Sequence, residues 1–461
     1  MKRYFIVIML ALPAILSSQS VKLNWQKRIL TGRNEFVTAL SRMADGGFLV
    51  LSNRLSSPPD SSYLRWYDDT FKLRKEIAIP LRTRQFEPDE LIQLASGKIG
   101  IAGSVHVGSS DTDFGWMLLD SLGQELGFRS FGGNGIDSPF RIIQSVDGTI
   151  YLAGRSNSGI SGVKTEASRG GDDFWIVQID ESGEVLGQKT LGGNHYDYLA
   201  NMLIEPDGSR LLWGRSLSKV SGDKTTPQLG GDDGWIIRTD HHWQSLSQGS
   251  TGGSSDDNIS AQVYQYRDEF IFLCNDGQAL TGGQRDIVLR SWDFDGSITP
   301  LKHVKANGHD VPVQMIRTCD GGYLLSATSR SGAGDDKSED GYGGTDIWLI
   351  RMDKDFEIIW DKTIGGTLTE SFPSLFRINQ REYVLTFSSQ SPRSGNLDEE
   401  NPDQQRGLYV IGLTDGTVPD HWIARLLKGC HICGSTLKIS VGDVTRFTAA
   451  IKAVDGSDPE D

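Results

Sequence analysis

The apolar residues of this chain fall in short runs, many of them alternating with polar residues, and the runs are separated by Gly, Asp and Ser. Runs rich in Val, Ile, Leu and aromatic residues between turn residues are typical of β-strands. Residues 140–191 give the clearest example, with the runs FRIIQS, TIYLAGRS, FWIVQID and EVLGQKTL. No segment shows a sustained helical period of apolar residues. The pattern therefore predicts a unit of four antiparallel strands, A to D.

This unit is repeated along the chain. The turn between strands A and B recurs at Gly46, Gly97, Gly148, Gly208, Glu269, Gly321 and Arg381, at intervals of 51, 51, 60, 61, 52 and 60 residues. Four-stranded units repeated at this period are typical of β-propellers, in which each small sheet is one blade. The sequence thus predicts an all-β, seven-bladed propeller over residues 21–416, followed by a tail over 417–461.

A Trp recurs at one position of strand C. Trp175, Trp235 and Trp348 each lie five residues before the Asp that ends the strand. A large aromatic residue at a repeated strand position suits the wedge-shaped space between blades. We therefore interpret these residues as interblade packing, with a ligand-stacking platform as the alternative.

The ring also needs a closing strand. The segment Leu23–Leu30 matches the strand D sequence around Trp360 and precedes the first strand A. It is therefore expected to complete the last blade by pairing with Leu408–Leu413. The alternative is that the last copy supplies its own strand D around Trp422.

Composition narrows the class of protein. The 461 residues include 54 Gly, many of which fall in the repeated turns, and 37% hydrophobic residues, enough to form a core. Four Cys cannot make a disulfide scaffold. A net charge of −14 argues against a nucleic-acid partner.

The N-terminus has the features of a secretory signal peptide over residues 1–20. Lys2 and Arg3 precede an apolar run from Tyr4 to Leu16, and small polar residues follow. The run is too short to span a bilayer comfortably, and no later segment is long and apolar enough. We therefore expect an exported protein, periplasmic, outer-membrane associated or extracellular, without a transmembrane segment.

Several motifs of the repeat carry a family resemblance. The elements SGDKT (Ser221–Thr225), GGDDGWII (Gly230–Ile237) and WDKTIGG (Trp360–Gly366) resemble those of secreted seven-bladed propeller repeat proteins of Bacteroidetes-type bacteria. The chain is also similar, more loosely, to general bacterial β-propeller and Kelch-like repeats. The resemblance covers roughly residues 21–416, and it implies an exported or surface propeller without implying a reaction. Many such proteins carry a C-terminal sorting domain, which the tail does not resemble.

An acidic residue precedes strand A in every copy. These residues are Glu35, Glu87 or Asp89, Asp137, Asp197, Asp257, Asp310 and Glu370. Because D–A connections and B–C loops share one face of a propeller, these side chains could form an acidic ring that attracts a cation or a basic partner. The alternative is that each carboxylate accepts hydrogen bonds within its own turn.

The long B–C loops carry a second set of candidate ligands. They contain Asp172, Asp173, Asp232, Asp233, Asp335, Asp336 and Asp346. Carboxylate oxygens suit Ca²⁺, so a calcium site is one prediction. The others are ordering within each loop, with Lys164, Lys224 and Lys337 pairing with these carboxylates, and direct contact with a partner.

The sequence lacks three common catalytic motifs. No nucleophile elbow, zinc-protease helix or phosphate loop occurs. Cys430 and Cys433 form a lone CxxC without further zinc ligands, so a local disulfide is one possibility. We therefore predict an exported, non-catalytic propeller that binds a protein or glycan through its loop face. The alternatives are a polysaccharide hydrolase or lyase acting at the channel mouth, and a structural subunit of an outer-membrane or surface assembly, with a membrane-associated assembly partner.

Overall fold

The computed structural model describes residues 21–29, 35–54, 61–81, 85–252, 264–266, 269–277, 285–401 and 406–417. The signal-peptide segment, Asp257, Trp422, Cys430 and Cys433 lie outside them. The described residues form the strands β1 (Val21–Ile29), β2 (Glu35–Arg42), β3 (Phe48–Arg54), β4 (Ser61–Tyr67), β5 (Leu73–Pro80), β6 (Phe86–Gln93), β7 (Ile99–Gly108), β8 (Asp111–Leu119), β9 (Glu125–Phe131), β10 (Asp137–Gln144), β11 (Ile150–Ser156), β12 (Asp173–Ile179), β13 (Val185–Leu191), β14 (Asp197–Ile204), β15 (Arg210–Ser216), β16 (Asp233–Thr239), β17 (Ser245–Thr251), β18 (Tyr264–Tyr266), β19 (Glu269–Gly277), β20 (Arg285–Asp293), β21 (Ile298–Val304), β22 (Asp310–Arg317), β23 (Tyr323–Ser329), β24 (Asp346–Met352), β25 (Ile358–Ile364), β26 (Glu370–Arg377), β27 (Glu382–Ser389) and β28 (Gly407–Asp415).

These strands form seven antiparallel sheets of four strands each. Blades 1 to 6 each use four consecutive strands, from β2–β5 to β22–β25, and blade 7 has the order β26-β27-β28-β1. The predicted seven-bladed propeller is therefore confirmed. No helix long and apolar enough to cross a membrane is found among the described residues.

Each interface between neighbouring blades holds its own hydrophobic core. The buried apolar side chains form seven clusters in the described part of the chain, and each cluster joins two adjacent blades. One of them joins Phe48 and Val50 of blade 1 to Leu408 and Val410 of blade 7, which closes the ring. A single four-stranded sheet cannot bury both its faces, whereas stacking in a ring buries them in turn.

The repeated Trp residues lie inside these cores. Trp175, Trp235 and Trp348 are fully buried, each in the cluster between its own blade and the preceding one. Their interpretation as interblade packing is confirmed, because none of these rings is accessible to a ligand.

The N-terminal strand completes blade 7. β1 pairs antiparallel with β28 from Val21 opposite Asp415 to Ile29 opposite Leu408. The predicted closure is therefore confirmed. Arg28 adds hydrogen bonds to the backbone oxygens of Ser389, at the end of β27 beyond β28, and of Ser391, in the loop that follows β27.

Almost every innermost strand carries a β-bulge near its start. The extra residue is Thr38 in β2, Asp89 in β6, Phe140 in β10, Ala200 in β14 and Val313 in β22, and β26 has a two-residue irregularity at Phe372 and Pro373. In blade 3 the bulged strand lies so close to β11 that a Cβ on Gly154 would stand 2.0 Å from the Ser138 oxygen. Bulges redirect side chains, and here they do so at the wall of the central channel.

Candidate functional site at the channel mouth

One face of the ring gathers the D–A connections and the B–C loops, as predicted. The connection at Gly193–His195 donates backbone hydrogen bonds to Asp197 Oδ2 and to the hydroxyls of Ser218 and Ser221 in the next B–C loop. The acidic candidate residues that the structure describes lie in these connections and loops or at the strand ends next to them.

The acidic residue at the start of strand A is turned into its own connection in most blades. Asp137 Oδ2 accepts hydrogen bonds from Gly133 N at 2.8 Å and Ser158 Oγ at 2.9 Å. Asp197 accepts the equivalent pair. Asp310 accepts from a Ser hydroxyl at 2.6 Å, and Glu370 accepts from Gly366 N and two Ser hydroxyls. All four are fully buried.

Blades 1 and 2 use this position differently. Glu35 accepts from Ser52 Oγ and forms a buried ion pair with Arg65 at 2.8 Å. In blade 2, both Glu87 and Asp89 line a cavity open to solvent. The acidic residues therefore do not form one continuous ring at the channel among the described blades.

The aspartates of the B–C loops contact protein groups near their own blades. Asp172 pairs with Arg155 at 3.0 Å, and Asp232 with Arg215 at 2.8 Å. The others accept backbone N–H groups: Asp173 from Arg169, Asp233 from Leu229 and Gly230, Asp336 from Lys305 and Asp346 from Tyr342. Asp335 is exposed, with φ of 51°.

The loop lysines are buried, and their ammonium groups contact oxygens and aromatic faces. Lys164 donates to Thr190 Oγ1 and lies 5.0 Å from the centre of the Trp175 ring. Lys224 donates to three backbone oxygens of its own loop. The sequence led us to expect lysine–carboxylate pairs, but the hydrogen-bond partners are hydroxyl and carbonyl oxygens. Burial lowers the pKa of Lys164 to about 8.

The described residues contain no group of three or more His, Cys, Asp or Glu arranged to hold a metal ion. Ca²⁺ needs six to eight oxygen ligands, whereas Asp172 and Asp232 each face a guanidinium. We expect an excess of chelator to leave the melting temperature unchanged in a thermal scan. A clear drop, restored by added Ca²⁺, would contradict this and support the calcium prediction from the sequence.

The buried carboxyls predict a falling stability from mildly acidic to neutral pH. Burial raises the pKa of Asp173 to about 7, and that of Asp346 to about 6, from an ordinary value of 3.8. Between the ordinary pKa and the raised values, the folded protein binds more protons than the unfolded chain. The free energy of unfolding therefore decreases as pH rises through this range. We expect Asp173→Asn to raise the melting temperature at pH 8 and to flatten its pH dependence.

Asp147 provides the matched control in the same blade. It lies on the exposed A–B turn, and a hydrogen bond from the Ser145 hydroxyl, together with one from Thr149 N, lowers its pKa. Asp147→Asn is therefore expected to lower the melting temperature at pH 8. Identical pH profiles for wild type and Asp173→Asn would show that burial of this carboxyl does not control stability.

Three cavities adjoin at the central channel, two of them on the side of blades 2 to 4. The first, of about 370 Å³, is the central channel, lined by innermost strands of blades 1, 2, 3, 4, 6 and 7. The second, of about 670 Å³, which we call the acidic cavity, lies beside blade 2. The third, of about 370 Å³, which we call the arginine cavity, lies between blades 3 and 4. Arg141 lines all three, so together they form one channel mouth.

The arginine cavity contains a stack of alternating rings and guanidinium groups. The Arg155 guanidinium lies 5.8 Å from the centre of the Phe140 ring and 5.3 Å from that of Tyr198. Arg215 lies 4.4 Å from the Tyr198 ring. Such cation–π contacts hold the side chains in place. Phe140 is the bulge residue of β10, and 38% of it is exposed.

The acidic cavity combines four carboxylates with one imidazole. Glu87, Asp89, Glu90 and Asp111 line it, and His106 Nε2 lies 3.1 Å from Glu87 Oε2. Burial, together with the charges of Glu87 and Glu90, raises the pKa of Asp89 to about 7. Arg141 Nη1 lies 3.2 Å from Glu90 and so connects the acidic cavity to the arginine cavity.

The sequence reasoning missed most of the channel mouth. It named Asp89 as one option in copy two and Asp172 and Asp232 in the loops. It did not find Phe140, Tyr198 or the three arginines. The signal that would have found them is variation between copies at aligned positions, because the bulge residue changes from Thr to Asp, Phe, Ala and Val around the ring. A ligand site needs side chains that the repeat does not share.

No family model matches the chain. No curated protein sequence matches it either. Solved structures with a similar fold include a protein of unknown function from Dyadobacter fermentans, with 12% identity, a TM-score of 0.43, and coverage of 86% of this chain and 99% of that one. Another is prolyl oligopeptidase B from Galerina marginata, with 12% identity and a TM-score of 0.46, covering 84% of this chain and 50% of that one. A third is a DUF4221 family member from Bacteroides vulgatus, with 13% identity, a TM-score of 0.36 and coverage of 70% and 92%.

The remaining cysteines of the described chain are buried. Cys274 and Cys319 form no disulfide. Their burial makes them inert as nucleophiles for a ligand at the channel mouth.

Proposed function

We propose that the protein is an exported, non-catalytic propeller that binds a glycan at the channel mouth. The observation that carries this proposal is the exposed Phe140 ring beside a concave set of guanidinium and carboxylate groups. An aromatic face packs against the apolar side of a sugar ring, and paired donors and acceptors suit its hydroxyls.

The concave shape favours a glycan over a protein ligand. A stable protein interface needs roughly 800 Å² from each partner, with a well-packed apolar centre. The exposed apolar side chains of the loop face, such as Ile160 and Val220, belong to separate loops. We therefore keep a protein bound to the loop face only as the alternative to a glycan.

Phe140→Ala tests the proposal directly. We expect it to weaken binding of a polysaccharide by at least about tenfold, which corresponds to about 1.4 kcal/mol, as measured by affinity electrophoresis across a glycan panel. The matched control is Phe372→Ala, which removes another exposed bulge phenylalanine, outside the three cavities. Unchanged glycan binding by Phe140→Ala, or no binding by the wild type to any glycan of the panel, would contradict the proposal.

Export is part of the proposal and has its own test. The resemblance to secreted propellers of Bacteroidetes-type bacteria and the signal-like residues 1–20 support it, and β1 begins at Val21, directly after the expected cleavage region. We expect the protein recovered from the periplasm or medium to begin close to Val21 by N-terminal sequencing. Recovery only of the uncleaved chain in the cytoplasm would contradict export.

A polysaccharide hydrolase or lyase is the second candidate, and one observation favours it. The acidic cavity places Asp89, whose pKa is raised to about 7, beside the His106–Glu87 pair. A carboxyl that titrates near neutral pH suits general acid–base catalysis. Release of new reducing ends or unsaturated products, abolished by Asp89→Asn, would replace the binding proposal with this one. Co-purification of one stoichiometric protein would instead favour a subunit of a membrane-associated assembly.

A further inference from the structure

The walls of the arginine cavity carry charge of one sign. Its lining is Phe140, Arg141, Arg155, Tyr198, Leu199, Ala200 and Arg215, which provides three guanidinium groups and no carboxylate. The carboxylates that pair with these arginines are not part of the lining: Asp172 and Asp232 are nearly fully buried, and Glu90, the partner of Arg141, lines the two adjoining cavities. A group that enters the cavity therefore meets cationic, aromatic and aliphatic side chains and no carboxylate of the lining.

The cationic groups are held in place before any ligand arrives. Arg155 is fixed between the Phe140 and Tyr198 rings and by Asp172, and Arg215 is fixed by Tyr198 and Asp232. Ordering a long side chain upon binding has an entropic cost. This cost is largely removed when the guanidinium groups are already stacked and paired.

Arg155 and Arg215 retain N–H groups that can donate hydrogen bonds to a ligand. A guanidinium has five N–H groups, and the bonds between Arg155 and Asp172 and between Arg215 and Asp232 each use Nη1. Among the described residues, the buried Nε of Arg155 has no hydrogen-bond partner. That Nε is shielded from the cavity, so the donors that a ligand in the cavity can reach are the remaining Nη hydrogens of Arg155 and Arg215.

We propose that the bound glycan is acidic and that the carboxylate of a uronic acid residue occupies the arginine cavity. This inference rests on the proposed function. A carboxylate matches the planar fork of a guanidinium with two parallel hydrogen bonds, which a hydroxyl cannot do. Phe140 lines both cavities, so a sugar that spans them would contact its ring.

The neighbouring acidic cavity further limits which acidic glycans can bind. Its carboxyl groups, Glu87, Asp89, Glu90 and Asp111, outnumber the two guanidinium groups that also line it, Arg141 and Arg155, so the ionised ones disfavour a second anionic group close to the first. The next sugar of the chain therefore presents hydroxyls there, which can donate to these carboxylates. A glycan with separated carboxylates fits this arrangement, and a densely sulfated chain such as heparin does not.

The experiment uses the full chain and matched polymers. Hyaluronan, in which uronic acid residues alternate with neutral sugars, is compared with its methyl ester, which has the same backbone without the charge, and with heparin. We expect the wild type to bind hyaluronan at least about tenfold more tightly than its methyl ester or heparin, and the preference to weaken with salt. Binding of ester and acid with equal affinity, or stronger binding of heparin, would overturn the inference and leave glycan binding intact.

Variants of Arg215 locate the carboxylate. Arg215→Gln removes the guanidinium. Arg215→Lys keeps a positive charge beside Asp232 but lacks the planar fork, so a loss of affinity in this variant reports recognition of the ligand and not a folding defect. Both are expected to lose at least about tenfold in hyaluronan affinity with no change for the methyl ester. The control is Arg74→Gln, because Arg74 is also half-exposed and paired with one aspartate, Asp45, on the opposite face. Full affinity in both Arg215 variants would overturn the inference, whereas no binding to any glycan would overturn the proposed function itself.

Discussion

A chain that begins at Thr31, and so lacks β1, is expected to aggregate or remain unfolded. Without β1, the whole length of β28 from Leu408 to Asp415 becomes an exposed edge. Exposed edges of this kind template pairing with other chains. The loss also uncovers the Phe71 ring that Trp25 contacts. Size-exclusion chromatography and a thermal scan measure the result, and a deletion of residues 1–20 alone serves as the control that retains the fold.

A circular permutant separates loss of the strand from loss of length. Val21 lies opposite Asp415, so residues 21–29 can be joined by a short linker after Thr417 in a chain that begins at Thr31. We expect this permutant to melt close to the intact protein. The explanation by ring closure would be wrong if the simple truncation melted like the intact protein, or if the permutant also failed to fold.

The replacement Arg351→Met is expected to lower the free energy of unfolding by about 3–5 kcal/mol. Arg351 is fully buried in β24 of blade 6, and its Nε donates to Asp415 Oδ2 of blade 7 at 2.8 Å. Its Nη2 lies 2.5 Å from Asp320. Removing the guanidinium leaves the Asp415 carboxylate, which is 1% exposed, as a buried charge without its counter-ion. Equilibrium denaturation measures the change.

Two further variants identify the cause of that loss. Asp415→Asn in the Arg351→Met background removes the uncompensated charge and keeps an oxygen for Trp360 Nε1, which donates to Asp415 at 3.1 Å. The double variant is therefore expected to recover part of the stability. Arg74→Met, in the exposed pair with Asp45, should cost no more than about 1 kcal/mol. If Arg351→Met also lowered the free energy of unfolding by no more than about 1 kcal/mol, a stabilising role for the Arg351–Asp415 pair would be ruled out.

The repeat explains how much of this protein could be predicted from its sequence. Blade number, strand order and closure by β1 all follow from positions that recur, because each copy must bury the same faces. The Trp residues of strand C belong to this class, and so do the acidic residues that begin β10 and β14, which are bound to their own turns. At these positions the seven copies act as an alignment within one chain.

The channel mouth could not be predicted in this way. Its residues lie where the copies differ, and its contacts cross between blades: Arg155 of blade 3 stacks on Tyr198 of blade 4. The one-residue bulge before Arg141 also shifts the side-chain direction in a way that strand periodicity does not show. The spacing of residues along the chain does not give the distance between side chains of different blades. The contacts of Phe140 and Tyr198 with the arginines are therefore visible only in the structure.

The pairing of β1 with β28 determines how the ring responds to mechanical load. The chain enters at Val21 and leaves after Asp415 at the same end of this strand pair, on the face of the A–B turns, where Asp415 N bonds to Arg381 O. A force that pulls these two ends apart separates the antiparallel pairs one after another, which is the weakest way to load a sheet. If the protein is held by only one of these two ends, no force acts across the β1–β28 pair and the ring stays closed. The channel mouth then faces away from the held end, because it lies on the opposite face of the ring.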